Sequence, residues 1–260
     1  PEGRQPGRRR AAPDRDGTLR GTSRRDPRIV SSTGIITVII AARNEAAYLP
    51  ACLDSLLAQD ATAGPVQIVV SANDCTDATV AVARARADET AARGWRLDVI
   101  DRPEPGKPGA LDAGDAAAAG TSRIYLDADV VCDPGLIGAL RSALATDMPV
   151  FATGRVRLAP ARTRVSALYG RFWMRVPFMR ETAPGPGLYA VNAAGRARWG
   201  RFPDIISDDG FVRLNFAPHE RVEVAPGYTW PVVEGFRALV GVRRRQDRGM
   251  AEVFERYPAL

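Results

Sequence analysis

Short apolar runs alternate with stretches of helical periodicity along the first half of the chain, and this alternation constrains the fold most. Runs of β-branched and aliphatic residues predict buried strands at 35–41, 66–71, 97–100 and 124–126. Apolar residues three and four positions apart predict helices at 46–58, 76–92 and 110–119, and after Asp133-Pro134. Parallel strands need crossover connections, which are usually helices. We therefore expect an α/β fold, Rossmann-like, with a mostly parallel sheet and helices on both faces.

The second half of the chain has a less regular pattern. Strands are predicted at 150–156, 188–191 and 221–224, and helices at 165–179, 208–216 and 233–257. No internal repeat interrupts the sequence. We interpret residues 32–260 as a single domain, built from a half at 32–145 and a half at 146–260.

The net charge of +6 is concentrated at the N-terminus. Residues 1–30 hold nine arginines against four acidic residues, which is +5 and leaves only +1 for the remainder. Together with its Gly and Pro content, this predicts a disordered basic tail at residues 1–31. The charge of the remaining chain does not indicate specific nucleic-acid binding.

Cysteine content and hydropathy bear on where such a protein works. The three cysteines, Cys52, Cys75 and Cys132, are odd in number and form no Cys-x-x-Cys pair, which argues against a disulfide framework or a zinc site. No apolar run approaches the roughly 20 residues of a membrane-spanning helix, and no signal peptide is visible. We expect a cytoplasmic protein. The aromatic stretch 169–178 is interpreted as a helix packed on the core, with contact to a lipid-linked acceptor or to the inner face of the membrane as the alternative.

A pair of carboxylates, Asp127 and Asp129, follows the apolar run Ile124–Leu126. Open α/β sheets bind ligands in the crevice at the carboxyl ends of their strands. A carboxylate pair there can hold Mg²⁺ or Mn²⁺, hard cations that share oxygen ligands with substrate phosphates. The alternative is ordinary capping, because acids in loops satisfy free backbone N–H groups.

Polar residues also follow the first two predicted strands and precede the alanine-rich helix. The first strand leads into Ala42-Arg43-Asn44-Glu45, and the second into Asn73-Asp74. Lys107, the only lysine of the chain, lies beside a helix N-terminus, where an anion such as a diphosphate is favoured. Helix capping explains part of these patterns equally well.

These four segments, in this order, resemble the family 2 glycosyltransferases, whose domain has the GT-A fold. The resemblance covers roughly residues 34–250 and implies a nucleoside-diphosphate sugar donor with Mn²⁺ or Mg²⁺ as cofactor. It assigns residues 32–145 to donor binding and 146–260 to acceptor binding. By this likeness Asp129 is a metal ligand and Asp127 contacts the donor or the metal. The implied donor-binding residues are Ala42, Arg43, Glu45, Asn73, Asp74 and Lys107.

The segment Ile205-Ile206-Ser207-Asp208-Asp209 resembles the acidic motif of the same family, in which the last Asp is the general base. An inverting transfer is a one-step displacement in which the acceptor hydroxyl loses its proton as it attacks, and a carboxylate can take that proton. Asp209 is therefore the candidate base. Asp208 either raises the pKa of its neighbour by like-charge repulsion or binds nearby backbone.

Two further residues have weaker support. Arg245 matches the Arg of the Gln-x-x-Arg-Trp segment of processive synthases, but Val242 and Gln246 depart from it, so we expect a single sugar transfer. Arg245 is expected to clamp the diphosphate, with a solvated basic helix face as the alternative. His219, the only histidine, corresponds to a third metal ligand in some GT-A enzymes, and a surface histidine is the alternative.

Other interpretations of the pattern remain open. An apolar strand followed by Asp-x-Asp-x-Val is also typical of haloacid-dehalogenase-like phosphatases, in which the first Asp is a nucleophile. That motif normally lies on the first strand with a lysine downstream, whereas Asp127 is in mid-chain and Lys107 is upstream. A non-catalytic GT-A scaffold that binds a nucleotide sugar is a further alternative. Asn73 stands where many family members have an Asp that reads uracil, so the base, the sugar and the acceptor (glycan, lipid-linked or small molecule) stay open.

Overall fold

The computed structural model describes Gly3, residues 34–181 and residues 183–260. Within these residues, eight strands form one sheet: β1 (Ile36–Ala42), β2 (Val66–Asn73), β3 (Arg96–Arg102), β4 (Ser122–Asp127), β5 (Val131–Cys132), β6 (Phe151–Leu158), β7 (Leu188–Val191) and β8 (Arg221–Trp230). The predicted tail at 1–31 lies outside the described residues, apart from Gly3.

Helices connect most of these strands. The first half contains α1 (Leu49–Leu57), α2 (Thr79–Arg84), α3 (Ala87–Ala92), α4 (Lys107–Ala117) and α5 (Leu136–Leu144). The second half contains α6 (Arg164–Trp173), α7 (Pro177–Arg180), α8 (Ala193–Arg196), α9 (Asp208–Leu214) and α10 (Phe236–Arg256). Within the described segments, no helix is both long and apolar enough to cross a bilayer.

The strand order is β3-β2-β1-β4-β7-β6-β8-β5. The first four strands in this order are parallel, with Ala42 opposite Ala72 and Ala41 opposite Asp127. The carboxyl ends of β1, β2 and β4 therefore meet at one edge. Beyond β4 the sheet is mixed, because β7 is antiparallel to both β4 and β6, β8 is parallel to β6, and β5 is antiparallel to β8.

Helices cover both faces of this sheet, as the sequence predicts. Alternate side chains of β1 point to opposite faces. Val38 and Ile40 belong to a core that includes Leu53 of α1, whereas Ile39 belongs to a second core that includes Leu111 of α4. The predicted α/β class, with helices on both faces of the sheet, is confirmed.

Most predicted boundaries shift by one to three residues, and three elements differ more clearly from the structure. The helix predicted at 76–92 is divided into α2 and α3, and the one predicted at 165–179 ends at Trp173, with Pro177 starting α7. Strand β8 runs on to Trp230, well past the predicted end at 224. The pairing of β8 with β6 shifts in register between Gly154 and Arg155, where the residues around Pro226 are left unpaired. Pairing then continues beyond this irregularity, which lets β8 extend past Pro226.

All three cysteines are free thiols, and Cys52 and Cys132 are buried.

Candidate active site

A cleft of about 940 Å³ lies at the edge where β1, β2 and β4 end. One wall consists of residues at or just after the ends of these strands, including Arg43, Asn73, Asp127 and Asp129. The opposite wall belongs to the second half of the chain, where Arg245 of α10 faces the cleft. The cleft therefore brings together residues that are far apart in sequence.

The loops after β1 and β2 are joined to each other at the cleft rim. The Arg43 guanidinium forms an ion pair with Asp74. Asn44 and Asp74 both have positive φ angles, of 56° and 50°, and Asn44 Oδ1 accepts a hydrogen bond of 2.8 Å from the Thr76 N–H. Asp77 accepts a 3.1 Å hydrogen bond from the Ala46 N–H. Arg43 and Asp74 thus hold each other at the rim.

Asn73 is buried at the end of β2, and its amide is satisfied by backbone groups on both sides. The amide orientation that satisfies both neighbours is the one in which Asn73 Nδ2 donates to the Ala42 carbonyl at 3.0 Å and Oδ1 accepts from the Gly106 N–H at 3.1 Å. The side chain therefore ties the β1 terminus to the turn before α4, and a ligand would have to compete with these backbone partners.

Lys107 lies between the two acidic motifs. Its Nζ is 2.9 Å from Asp127 Oδ1 and 3.1 Å from Asp208 Oδ1. Burial disfavours the ammonium charge, but the neighbouring carboxylates outweigh that effect and raise the pKa of Lys107. Lys107 is therefore a fixed cation that connects the end of β4 to the start of α9.

Asp129 carries a buried oxygen, Oδ1, that has no hydrogen-bond partner among the described residues. Burial raises the pKa of Asp129 to about 7, and the nearby Asp127 and Glu45 carboxylates add to this. Glu45 has a raised pKa for the same reasons, burial first and then Asp127 and Asp77. A carboxylate oxygen that is buried among other acids and accepts no hydrogen bond is unfavourable unless a cation pairs with it.

This donor set fits a hard divalent cation. Asp127 and Asp129 supply carboxylate oxygens, the ligand type that Mg²⁺ and Mn²⁺ prefer, and Mg²⁺ often takes only one or two carboxylates and completes its shell with water and substrate phosphates. Among the described residues, no group of three or more His, Cys, Asp or Glu side chains is arranged to hold a metal.

Asp209 lies at the start of α9 beside a small pocket of about 20 Å³ that also borders Lys107, Asp127 and Tyr189. Its Oδ1 accepts hydrogen bonds from the Gly210 N–H at 2.7 Å and the Ser207 hydroxyl at 3.0 Å. No hydrogen bond to Oδ2 is formed within the described part of the chain. The carboxylate is therefore held in place with one oxygen available.

Asp208 is fully buried beside Asp209 and differs from it in its contacts. Its Oδ1 is paired with Lys107, and the Tyr189 hydroxyl lies 3.5 Å from its Oδ2. Burial raises the pKa of Asp208 to about 6, partly offset by Lys107 and reinforced by Asp209.

The structure does not bring His219 to this cleft. His219 is exposed, two residues before β8, whereas Trp230 at the other end of β8 borders the cleft. Ten strand residues at about 3.3 Å each separate these ends by roughly 30 Å. The surface-histidine alternative fits this position, and metal ligation together with Asp129 does not.

Some residues of the site carried no distinct sequence signal. Tyr189 lies on β7 in a run that indicates only a buried strand, yet its hydroxyl faces Asp208. Trp230, beyond the predicted end of β8, borders the cleft, as does Tyr169, which the sequence indicated only as part of an aromatic stretch. Local patterns do not encode which of these side chains face the cleft.

The sequence profile of one family, described as Glycosyl transferase family 2, matches residues 37–204, well over half of the chain. The chain belongs to glycosyl transferase family 2. The expectation of a glycosyltransferase is thereby confirmed at the level of the family. No curated protein sequence matches this family 2 chain significantly.

Solved glycosyltransferase structures share the fold of this family 2 chain at low sequence identity. A mannosyltransferase of Pyrobaculum calidifontis, in complex with GDP-Man and Mn²⁺, has a TM-score of 0.62 at 22% identity, over 86% of this chain and 64% of that one. S. aureus TarS 1–349, in complex with UDP-GlcNAc, has a TM-score of 0.56 at 16% identity, over 79% and 60%.

A third structure, glucosyl-3-phosphoglycerate synthase of Mycobacterium tuberculosis with Mn²⁺, UDP and phosphoglyceric acid, has a TM-score of 0.54 at 18% identity, over 88% of this chain and 81% of that one. The present chain spans less than two thirds of the length of the other two. These similarities support the GT-A fold.

Proposed function

We propose that this family 2 domain transfers one sugar from a nucleoside-diphosphate sugar to an acceptor hydroxyl, with inversion at the anomeric carbon and with a divalent cation. The observation that carries the proposal is the convergence of Asp127, Asp129 and Asp209 around Lys107. A leaving diphosphate needs positive charge, and an attacking hydroxyl needs a base. Lys107 and a cation at Asp127 and Asp129 would supply the charge, and Asp209 would be the base, all within one site.

The donor is proposed to bind along the edge formed by β1, β2 and β4. Arg43, Glu45 and Asn73 line the space proposed for the nucleoside. Ala42, which is buried at the end of β1, and Asp74, which is paired with Arg43, lie next to this lining. Arg43 carries a charge beside the phosphates once its pairing with Asp74 is relaxed. Because the Asn73 amide is already bonded to backbone groups, we infer that the base is held mainly by backbone and shape.

Asp127 and Asp129 are proposed to hold Mn²⁺ or Mg²⁺. When bound, the cation would neutralise the diphosphate and stabilise it as a leaving group. The unpaired Oδ1 of Asp129 supports this assignment, since a cation satisfies a buried carboxylate that no protein donor reaches. His219 has no role in this proposal.

Asp209 is proposed as the general base that takes the proton of the acceptor hydroxyl. It is the more suitable of the two acids because Asp208 is buried and paired with Lys107, whereas Asp209 has an oxygen without a donor. Lys107 and Arg245 then offset the charge that develops on the departing diphosphate. Asp208 keeps Lys107 in position.

A thermal-shift panel tests the donor class. UDP, GDP, dTDP and their sugars are each added with and without Mn²⁺, because a ligand that binds only the folded state raises the melting midpoint. We expect one diphosphate to stabilise the protein, and Mn²⁺ to increase that shift in the wild type but not in Asp129→Ala. An unchanged metal response in Asp129→Ala would place the metal elsewhere.

Asp209→Asn tests the base. The variant should lose transfer by about 10²-fold or more, since a positioned base contributes roughly that much, while donor affinity stays unchanged. Asp204→Asn, an exposed acid five residues upstream, is the matched control. If Asp209→Asn also loses donor binding, Asp209 has a structural role.

The alternatives make different predictions in these assays. A phosphatase would hydrolyse phosphate esters without an acceptor sugar and would depend on Asp127 as a nucleophile. A non-catalytic scaffold would bind the nucleotide sugar and never turn it over. The acceptor, single transfer rather than polymerisation, and a cytoplasmic location remain predictions.

A further inference from the structure

Helix α6 and the start of α10 expose large apolar side chains next to the cleft. The exposed fractions are 64% for Leu168, 66% for Phe172 and 68% for Phe236, and Val165 and Val233 are also exposed. We call these five residues the α6 surface. Single exposed apolar residues are ordinary, but a cluster of large ones marks an interaction surface.

The apolar residues of α6 lie on one strip of its outer side. Ser166, Gly170 and Trp173 are buried and define the inner side of the helix. At about 100° per residue, Val165, Leu168 and Phe172 group together on the side of α6 next to Tyr169. Since Tyr169 borders the cleft, the strip lies along the cleft entrance.

The segment before α10 continues this strip. The Ser166 hydroxyl donates to the Val233 carbonyl and accepts from the Gly235 N–H, both at 3.0 Å. These two bonds hold Val233 and Phe236 against the first turn of α6. The α6 surface is therefore a single preformed patch, built from two segments that are distant in sequence.

Arginines surround the patch. Residues 161–180 contain Arg162, Arg164, Arg171, Arg175 and Arg180 and no acidic residue. Within the described residues, these five arginines form no salt bridge with an acid. Glu234 is the acid nearest to the patch in sequence. Its carboxylate already accepts hydrogen bonds from the backbone N–H groups of Arg162 and Thr163.

We propose that the α6 surface docks on a bilayer that contains anionic phospholipid. Apolar side chains that enter the headgroup region, flanked by arginines that pair with anionic lipids, are the features by which amphipathic segments bind membranes. A second copy of this chain would place like-charged arginines against each other in a two-fold interface. Docking brings the cleft entrance to the lipid surface, where a lipid-linked acceptor would be within reach.

Flotation of the whole chain with vesicles tests the proposal without any donor. The vesicles are either phosphatidylcholine alone or phosphatidylcholine with 30 mol% phosphatidylglycerol, a probe composition chosen at roughly the anionic content of a charged leaflet. We expect binding to the anionic vesicles, weakened about tenfold or more by the triple change Leu168→Gln, Phe172→Gln and Phe236→Gln. Met148→Gln, which alters an equally exposed apolar residue far from the patch, should bind like the wild type.

A second pair of variants separates charge from apolar contact. Arg171→Gln with Arg175→Gln should weaken binding to anionic vesicles, whereas Arg84→Gln with Arg96→Gln, the same charge change on the donor half, should not. The N-terminal arginines are present in every variant, so their contribution is common to all. Circular dichroism melts verify that each variant is folded.

Three results would overturn the proposal. The first is that the wild type does not float with anionic vesicles, and the second is that the triple variant floats as well as the wild type. The third is a dimer in light scattering that the triple variant converts to a monomer, which would make the patch an interface between copies. None of these measurements depends on sugar transfer, so a negative result here would not contradict the proposed function.

Discussion

At the scale of single residues, Lys107 holds the candidate site together. Asp127 and Asp208 come from different halves of the chain, and their charges would repel each other without a cation between them. The Lys107 Nζ contacts both carboxylates within 3.1 Å. The position of Lys107 beside a helix N-terminus was evident in the sequence, but its second partner, Asp208, was not.

Asp208→Asn should change how stability depends on pH. Burial raises the pKa of Asp208 to about 6 from an ordinary value of 3.8. The folded state therefore keeps this proton more tightly than the unfolded state, and the stability that this provides below about pH 4 is lost as the pH rises through 6. Between pH 4 and 7, the wild type should lose about 2 kcal/mol of its free energy of unfolding through this group, and the variant should not show that loss.

Urea denaturation at several pH values in that range measures the difference. Asp204→Asn is the control, because the same chemical change is made at an exposed acid. Parallel pH profiles for the wild type and Asp208→Asn would contradict the prediction.

At the scale of elements, the contact between α4 and β1 sets the position of Lys107. Gly114 of α4 lies directly over β1, and a Cβ placed there would lie 2.3 Å from Ile39 Cγ2. Strand–helix alternation predicted that α4 covers the sheet. It did not predict the distance between α4 and β1, because that distance depends on which residue of β1 lies beneath the helix.

Gly114→Ala should therefore destabilise the fold by about 1–3 kcal/mol through overpacking. Gly241→Ala in α10 is the matched control, since no atom lies within 4 Å of its added Cβ. That control should be neutral or stabilising by up to about 1 kcal/mol, because Ala favours helix over Gly. Chemical denaturation measures both, and a loss of stability of the same size in the two variants would contradict the packing argument.

At the scale of the whole molecule, the cleft lies between the strand ends of the first half and residues of α10 in the second half. Arg245 borders the cleft from α10, more than a hundred residues from Asp127 and Asp129 in sequence. The sequence assigned Arg245 only through an imperfect likeness, and an exposed basic helix face was the stated alternative. The fold distinguishes the arginines of this helix by which of them face the cleft.

Arg245→Gln should weaken binding of the nucleoside diphosphate by about tenfold or more, because a charge-assisted hydrogen bond contributes roughly 1.5–3 kcal/mol. Arg248→Gln is the matched control, since Arg248 is exposed on the same helix and does not border the cleft. Calorimetric titration of the diphosphate in the presence of Mn²⁺ compares the two. Equal losses would indicate a general effect of charge.

The sequence by itself determined the layered α/β fold and the meeting of β1, β2 and β4 at one edge. Strand and helix periods are local properties, and parallel pairing then places the residues that follow these strands together. Arg43, Asn73 and Asp127 could be placed near one another for this reason. The same reasoning could not place His219, because β8 has ends about 30 Å apart and local pattern does not say which end faces the site.

Tertiary structure alone decided the arrangement of groups that are distant in sequence. The bridge from Lys107 to Asp208, the unpaired oxygen of Asp129 and the joining of α6 to the start of α10 all depend on packing between segments that are far apart along the chain. This packing determines which groups are buried and which charges are paired. Burial and charge pairing in turn set the pKa values, and the same packing leaves some surfaces exposed. A linear pattern names the residues that carry chemistry, and the three-dimensional packing determines which of them can act together.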